Sequence, residues 1–167
     1  MGHKDRTYVI FDGDKDQWAY RYMRGWNNNR NIDFNFDDAH ELKPLTYRAQ
    51  DEIYIKTRLR ERLKQTDQVI LLIGESTKFL YKYVRWELEL AIELNLPIIA
   101  VNLDKTRVQN PSLCPAIIRT YPKTVYVAFR SKIIQYALDN FPSFIRNYKG
   151  NETRWHYPDE VYTRLGI

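Results

Sequence analysis

Gln68-Val69-Ile70-Leu71-Leu72-Ile73 runs straight into Gly74-Glu75-Ser76-Thr77. An unbroken apolar run closed by a glycine and small polar residues reads as a strand buried on both faces, the pattern of a central strand in a parallel sheet. Thr7-Tyr8-Val9-Ile10-Phe11 repeats it and ends in Asp12-Gly13-Asp14. Leu96-Pro97-Ile98-Ile99-Ala100-Val101 is a third, with its proline near the start, where a missing N–H is tolerated. Ile32-Asp33-Phe34-Asn35-Phe36 alternates as an edge or half-buried strand does, and Thr124-Val125-Tyr126-Val127-Ala128 reads as a fifth. Helical stretches separate them: Lys15 to Trp26, Ala49 to Lys64, Thr77 to Leu94 and Ser131 to Asn140. This β-α-β-α order predicts a flavodoxin-like α/β three-layer sandwich. Its sheet would hold five parallel strands in the order 2-1-3-4-5, with right-handed crossovers. Phe141-Pro142 reads as the end of the unit, giving one domain over 6–141 and a tail over 142–167. The tail's Trp155, Tyr157 and Tyr162 predict that it packs on the domain.

Composition narrows the function classes. The 167 residues are 44% apolar and 28% charged, which excludes a disordered chain. No apolar run approaches the roughly 20 residues that cross a bilayer. Cys114 is the only cysteine, so there is neither an internal disulfide nor a thiolate zinc cluster, and a cytoplasmic location is expected. The net charge of +5 is small and spread out. Its densest stretch, Lys56, Arg58, Arg60, Arg62 and Lys64, divides between two flanks of a helix whose Ile55, Leu59 and Leu63 form the core stripe. That is a solvated helix face, and nucleic acid is not indicated. Asp12-Gly13-Asp14-Lys15-Asp16 opens like a calcium loop, but Gln17 and Met23 stand where that loop needs Gly and Glu. A phosphoacceptor domain needs an aspartate where Ile73-Gly74 stands. With no phosphate-binding glycine motif and no paired histidines, no metal site is expected.

In an open parallel sheet a ligand sits beyond the carboxyl ends of the strands, where strand order reverses. Here that crevice lies between the first and third strands, at Asp12-Gly13-Asp14 and Gly74-Glu75-Ser76-Thr77. Ser76 or Thr77 would either meet a ligand or cap the following helix, and Asp14 or Asp16 would cap the first one. On the helix after the third strand, Leu80, Val84, Leu88 and Ala91 fall within about 80° and define the buried stripe. Glu89 and Glu93 lie opposite, in solvent. Glu87 lies about 55° from the stripe's centre, beside leucines. Two readings stay open for it: a partly desolvated functional acid, or a boundary glutamate paired with a nearby Lys or Arg. Trp86 falls on the outer face, either as an interface residue or covered by the tail.

Val69 to Thr77, Tyr83-Val84-Arg85-Trp86-Glu87-Leu88 and the strand from Pro97 to Val101 together resemble the TIR-like family of Thoeris anti-phage proteins. Phe11-Asp12-Gly13-Asp14-Lys15-Asp16 is similar to that family's first-strand turn, and Phe36-Asp37-Asp38 to the segment after its second strand. Departures are Ile10 where serine is common, Tyr83 where tryptophan is usual, Val84 where many relatives have cysteine, and His40 where serine is frequent. The resemblance implies a TIR fold and cleavage of the nicotinamide–ribose bond of NAD, a substrate rather than a cofactor, yielding a cyclic or linear ADP-ribose-type signal for a downstream effector. It places the catalytic glutamate on Glu87 and substrate contacts on Asp12, Gly13, Asp14, Phe36, Asp37, His40, Gly74, Ser76, Thr77 and Tyr83. A non-catalytic TIR module that assembles with itself or a partner is the rival reading. A nucleoside deoxyribosyltransferase-like enzyme is a third.

Overall fold

A computed structural model describes residues 6–32, 34 and 52–167 and the backbone of 37–38. The strands are β1 (Arg6–Ile10), β2 (Asp37–Asp38), β3 (Gln68–Ile73), β4 (Ile98–Asn102), β5 (Thr124–Ala128) and β6 (Trp155–His156). The helices are α1 (Gln17–Asn28), α2 (Glu52–Lys64), α3 (Tyr83–Glu93), α4 (Ser131–Asn147) and α5 (Asp159–Arg164). All strands run parallel in the order β2-β1-β3-β4-β5-β6. The chain is therefore α/β with one more parallel strand than the five expected. Among the described residues no helix is long and apolar enough to cross a membrane.

The apolar runs are continuous because successive side chains point to opposite faces and both faces are covered. Val9, Ile70, Leu72, Ile99, Val101, Val125 and Val127 pack under α1 and α4, through Tyr20, Met23, Ile133, Ile134 and Phe141. Tyr8, Ile10, Val69, Leu71, Ile73, Ile98, Ala100 and Tyr126 pack under α2 and α3, through Ile55, Leu59, Leu63, Val84, Leu88 and Ala91. The register of Thr7 to Ile10 against Gln68 to Leu71 sets the carboxyl ends of β1 and β3 side by side.

Several expected boundaries are corrected. β2 pairs through Asp37–Asp38 (Arg6 with Asp37, Thr7 with Asp38) rather than through Ile32 to Phe36. Of that stretch, Phe34 is buried against Trp26, while 33, 35 and 36 lie outside the described residues. The helix expected from Thr77 to Leu94 is broken into a 3-10 turn, Thr77–Phe79, and α3, which starts at Tyr83. The helix expected to stop at Asn140 runs to Asn147 through Pro142. A proline there forfeits one backbone hydrogen bond, but Phe141, Pro142 and Ile145 are all buried and hold the helix on the sheet.

Beyond α4 the chain adds β6 beside β5, pairing Val125 with Trp155 and Tyr126 with His156. α5 follows and buries Tyr162 completely. Trp86 is corrected as well: it is buried, and its cover is α2 rather than solvent or the tail. The Lys56 ammonium sits 4.7 Å from its ring centroid and Tyr83 meets it edge-on at 5.5 Å. Glu89 and Glu93 are exposed and pair with Arg85 and Arg60.

Candidate functional site

The loops after β1 and β3 are tied to each other. Asp12 folds its own loop, its Oδ1 accepting from the N–H groups of Asp14 (2.9 Å) and Lys15 (3.3 Å), and its Oδ2 accepts from Ser76 Oγ at 2.6 Å. Thr77 Oγ1 accepts from Gly74 N–H at 2.9 Å and lies 3.5 Å from Asp16 Oδ2, to which it can donate. Neither Ser76 nor Asp16 makes the capping bond expected of it, because each side chain is committed across the loops.

Burial works to raise the Asp12 carboxyl. The bonds from Ser76, Asp14 and Lys15, with the Lys15 charge, outweigh it and hold the group below its ordinary value. Asp16 goes the other way: burial first, then the nearby Asp12 charge, push it up.

Gly74 is required by close approach, since a Cβ there would collide with the Asp16 carboxylate. Gly74→Ala is therefore expected to cost about 1–3 kcal/mol, read as a lower urea midpoint with an unchanged slope.

Glu87 occupies the second turn of α3. It is buried (8% exposed), more deeply than its wheel position suggested. The Tyr8 phenol of β1 donates a hydrogen bond to it, and Arg62 of α2 supplies a nearby positive charge. Its Oε2 is buried with no hydrogen-bond partner among the described residues. Burial raises its pKa from the ordinary 4.5 to about 7, against the downward pull of the Tyr8 bond and the Arg62 charge. Glu87 thus has the desolvation that one reading called for and, in Arg62, the cationic neighbour that the other called for.

A stability prediction follows from linkage. The folded chain keeps the Glu87 proton up to about pH 7, whereas the unfolded chain releases it near 4.5. Stability present below pH 4.5 is therefore lost as pH rises to 7 and stays flat above, by on the order of 3 kcal/mol at about 1.4 kcal/mol per pH unit. Glu87→Gln should abolish that slope, so the parent-minus-variant difference in urea unfolding between pH 4.5 and 8 isolates it.

Glu87 borders a cleft of about 480 Å³ together with Phe11, Asp12, Gly13, Asp14 and residues 79–84. That volume lies within the range of small-molecule sites, roughly 300–1,000 Å³. Of the expected site residues, the structure brings Asp12, Gly13, Asp14, Tyr83 and Glu87 together there. Gly74 and Ser76 border a neighbouring hollow of about 370 Å³ with Lys15, Asp16, Trp18 and Asp104. Thr77 is buried in the inter-loop contact. Phe36 and His40 lie outside the described residues, and of Asp37 the backbone alone is described, paired with Arg6.

Sequence reasoning missed Phe11, Phe79, Tyr81 and Lys82 on the cleft wall, and Tyr8 and Arg62 behind Glu87. Tyr8 had a signal: period-2 geometry puts it on the same face as Ile10, beneath α3. Arg62 had none beyond its place in a basic run.

The geometry and the family comparison converge on the same segment. The family model for the TIR-like domain of the Thoeris protein ThsB matches residues 8–108, from β1 past β4, well over half of the chain and including Asp12, Tyr83 and Glu87. With its parallel α/β sheet and this match, the chain belongs to the Thoeris ThsB TIR-like domain family.

Proposed function

We propose that this chain cleaves the nicotinamide–ribose bond of NAD and releases an ADP-ribose-type nucleotide, cyclic or linear, as a signal in anti-phage defence. The observation that carries the reading is the buried Glu87, with one oxygen unpartnered among the described residues, on the wall of a nucleotide-sized cleft. The substrate is consumed, so no cofactor is required. An effector that reads the nucleotide is the implied downstream partner, and the cytoplasm, where NAD is held, is the proposed location.

Nicotinamide in NAD is already a cationic leaving group. The C1′–N bond breaks with both electrons going to the pyridine ring, which leaves neutral, while positive charge develops on the ribose as in glycoside hydrolysis. Glu87 is suited to oppose that charge electrostatically from the cleft wall. With a pKa of about 7 its carboxyl is divided between acid and anion near neutrality, and a bound cationic pyridinium favours the anion. Asp12, held ionised by three hydrogen bonds, adds negative potential to the lining of the same cleft. Capture of C1′ by an adenine nitrogen gives a cyclic product, and capture by water, which loses a proton, gives ADP-ribose. Water exclusion favours the first, and Tyr83 at the mouth contributes to it.

The rival reading, a module acting only by assembly, drew support from an exposed Trp86, and that residue is buried. Mass spectrometry of nucleotides after incubation with NAD tests the proposal: free nicotinamide and an ADP-ribose isomer in equal amounts are expected. Base exchange on deoxynucleosides in their place would point to the deoxyribosyltransferase chemistry.

A further inference from the structure

The break between the 3-10 turn and α3 exposes three aromatic residues in five positions, Phe79 at 59%, Tyr81 at 73% and Tyr83 at 46%. In a continuous helix, residues two apart would point about 200° apart. The non-helical link at 80–82 instead lets all three line the mouth of the Glu87 cleft. Lysines accompany the rings: the ammonium of Lys78 stands 4.9 Å from the Phe79 centroid and that of Lys82 5.7 Å from the Tyr83 centroid.

Exposed aromatics interleaved with cations are the composition of a platform that stacks a nucleobase and neutralises its phosphates. We infer that the Phe79–Tyr83 rim is a binding subsite for the adenosine diphosphate half of a dinucleotide, with adenine stacked on Tyr81 and Phe79 and the diphosphate beside Lys82. The inference deepens the NAD reading and rests on it for the identity of the ligand. With the ribose bearing nicotinamide at Glu87, this rim offers the rest of the dinucleotide a surface along the same cleft wall. Lys82 on the cleft wall matches its charge, whereas Lys78 donates to the Ser112 carbonyl, and the rim is continuous with that wall. Tyr81 and Phe79 are thus specificity determinants rather than catalytic residues.

The test is calorimetric titration of the full chain with ADP, with nicotinamide mononucleotide and inorganic pyrophosphate as separate arms. Tyr81→Ala and Phe79→Ala are each expected to weaken ADP binding about 10- to 100-fold. Tyr81→Phe, which keeps the ring, should restore it, and the preference for ADP over nicotinamide mononucleotide should collapse in both alanine variants. Because Tyr81 is largely exposed, its truncation leaves the core intact. ADP binding that is absent from the parent, indifferent to both alanine variants, or matched by pyrophosphate overturns the assignment. Nicotinamide release from NAD is read on the same samples. Release with no effect of the rim variants on ADP sinks the subsite alone. ADP binding that depends on the rim, with no release, leaves the subsite standing and removes the chemistry.

Discussion

Glu87→Gln is expected to lower nicotinamide release from NAD by about 10²- to 10³-fold, the usual effect of deleting one preorganised charged group facing a developing charge, about 3–4 kcal/mol. The same substitution should stabilise the fold above pH 7. The parent carries a desolvated carboxylate there, and the glutamine is neutral at every pH. Lost turnover with a raised melting temperature at pH 8 separates a catalytic loss from a folding loss, because a misfolded variant would lose both. Such a trade is what a buried acid kept for chemistry predicts. Turnover by a folded Glu87→Gln chain at the parental rate would remove Glu87 from the mechanism.

The second large effect lies far from the cleft. Tyr162→Ala should cost about 3–5 kcal/mol, the range for emptying a fully buried aromatic site. Tyr162 has no exposed surface, its hydroxyl accepts a hydrogen bond from Ala128 N–H at 3.2 Å, and the Arg107 guanidinium lies 4.1 Å from its ring centroid. Truncation leaves a cavity under β5 and an orphaned buried donor at that strand's last residue. A fall in melting temperature of roughly 10 °C or more is expected for a chain of this length. Tyr162→Phe, which loses only the hydroxyl, should cost about 1 kcal/mol. Urea unfolding of the three proteins measures both, and equal costs for Ala and Phe would show that the ring does not anchor α5.

These two residues mark what could be read in the chain. The central strands were legible because each is buried on both faces and so carries no polar interruption. Ile55, Leu59 and Leu63 were legible because one period fits one partner surface. β6 was not: Trp155-His156 is too short to show a period, and its position comes from α4 carrying the chain across the sheet. α4 itself outran its expected end because burial of Phe141 and Ile145 outweighs the bond lost at Pro142.

The wheel misplaced Trp86 since it weighs packing against the sheet alone, while α2 covers the second side of α3. Glu87 was singled out correctly as lying beside the apolar stripe. Its depth, however, depends on Tyr8 from β1 and Arg62 from α2, and no local pattern joins those positions. The aromatic rim was hidden for another reason: residues 78–82 contain nothing that forbids a helix, so the break at 80–82 comes from tertiary packing rather than local sequence.

The most direct measurement is a carbon-13 NMR titration of the side-chain carboxyls, with Glu87 assigned by its disappearance in Glu87→Gln, run with and without NAD. The signal lost in Glu87→Gln should titrate near pH 7, and its resonance should move when NAD is added. A Glu87 signal that titrates between pH 4 and 5, or that stays fixed in saturating NAD, would contradict the account.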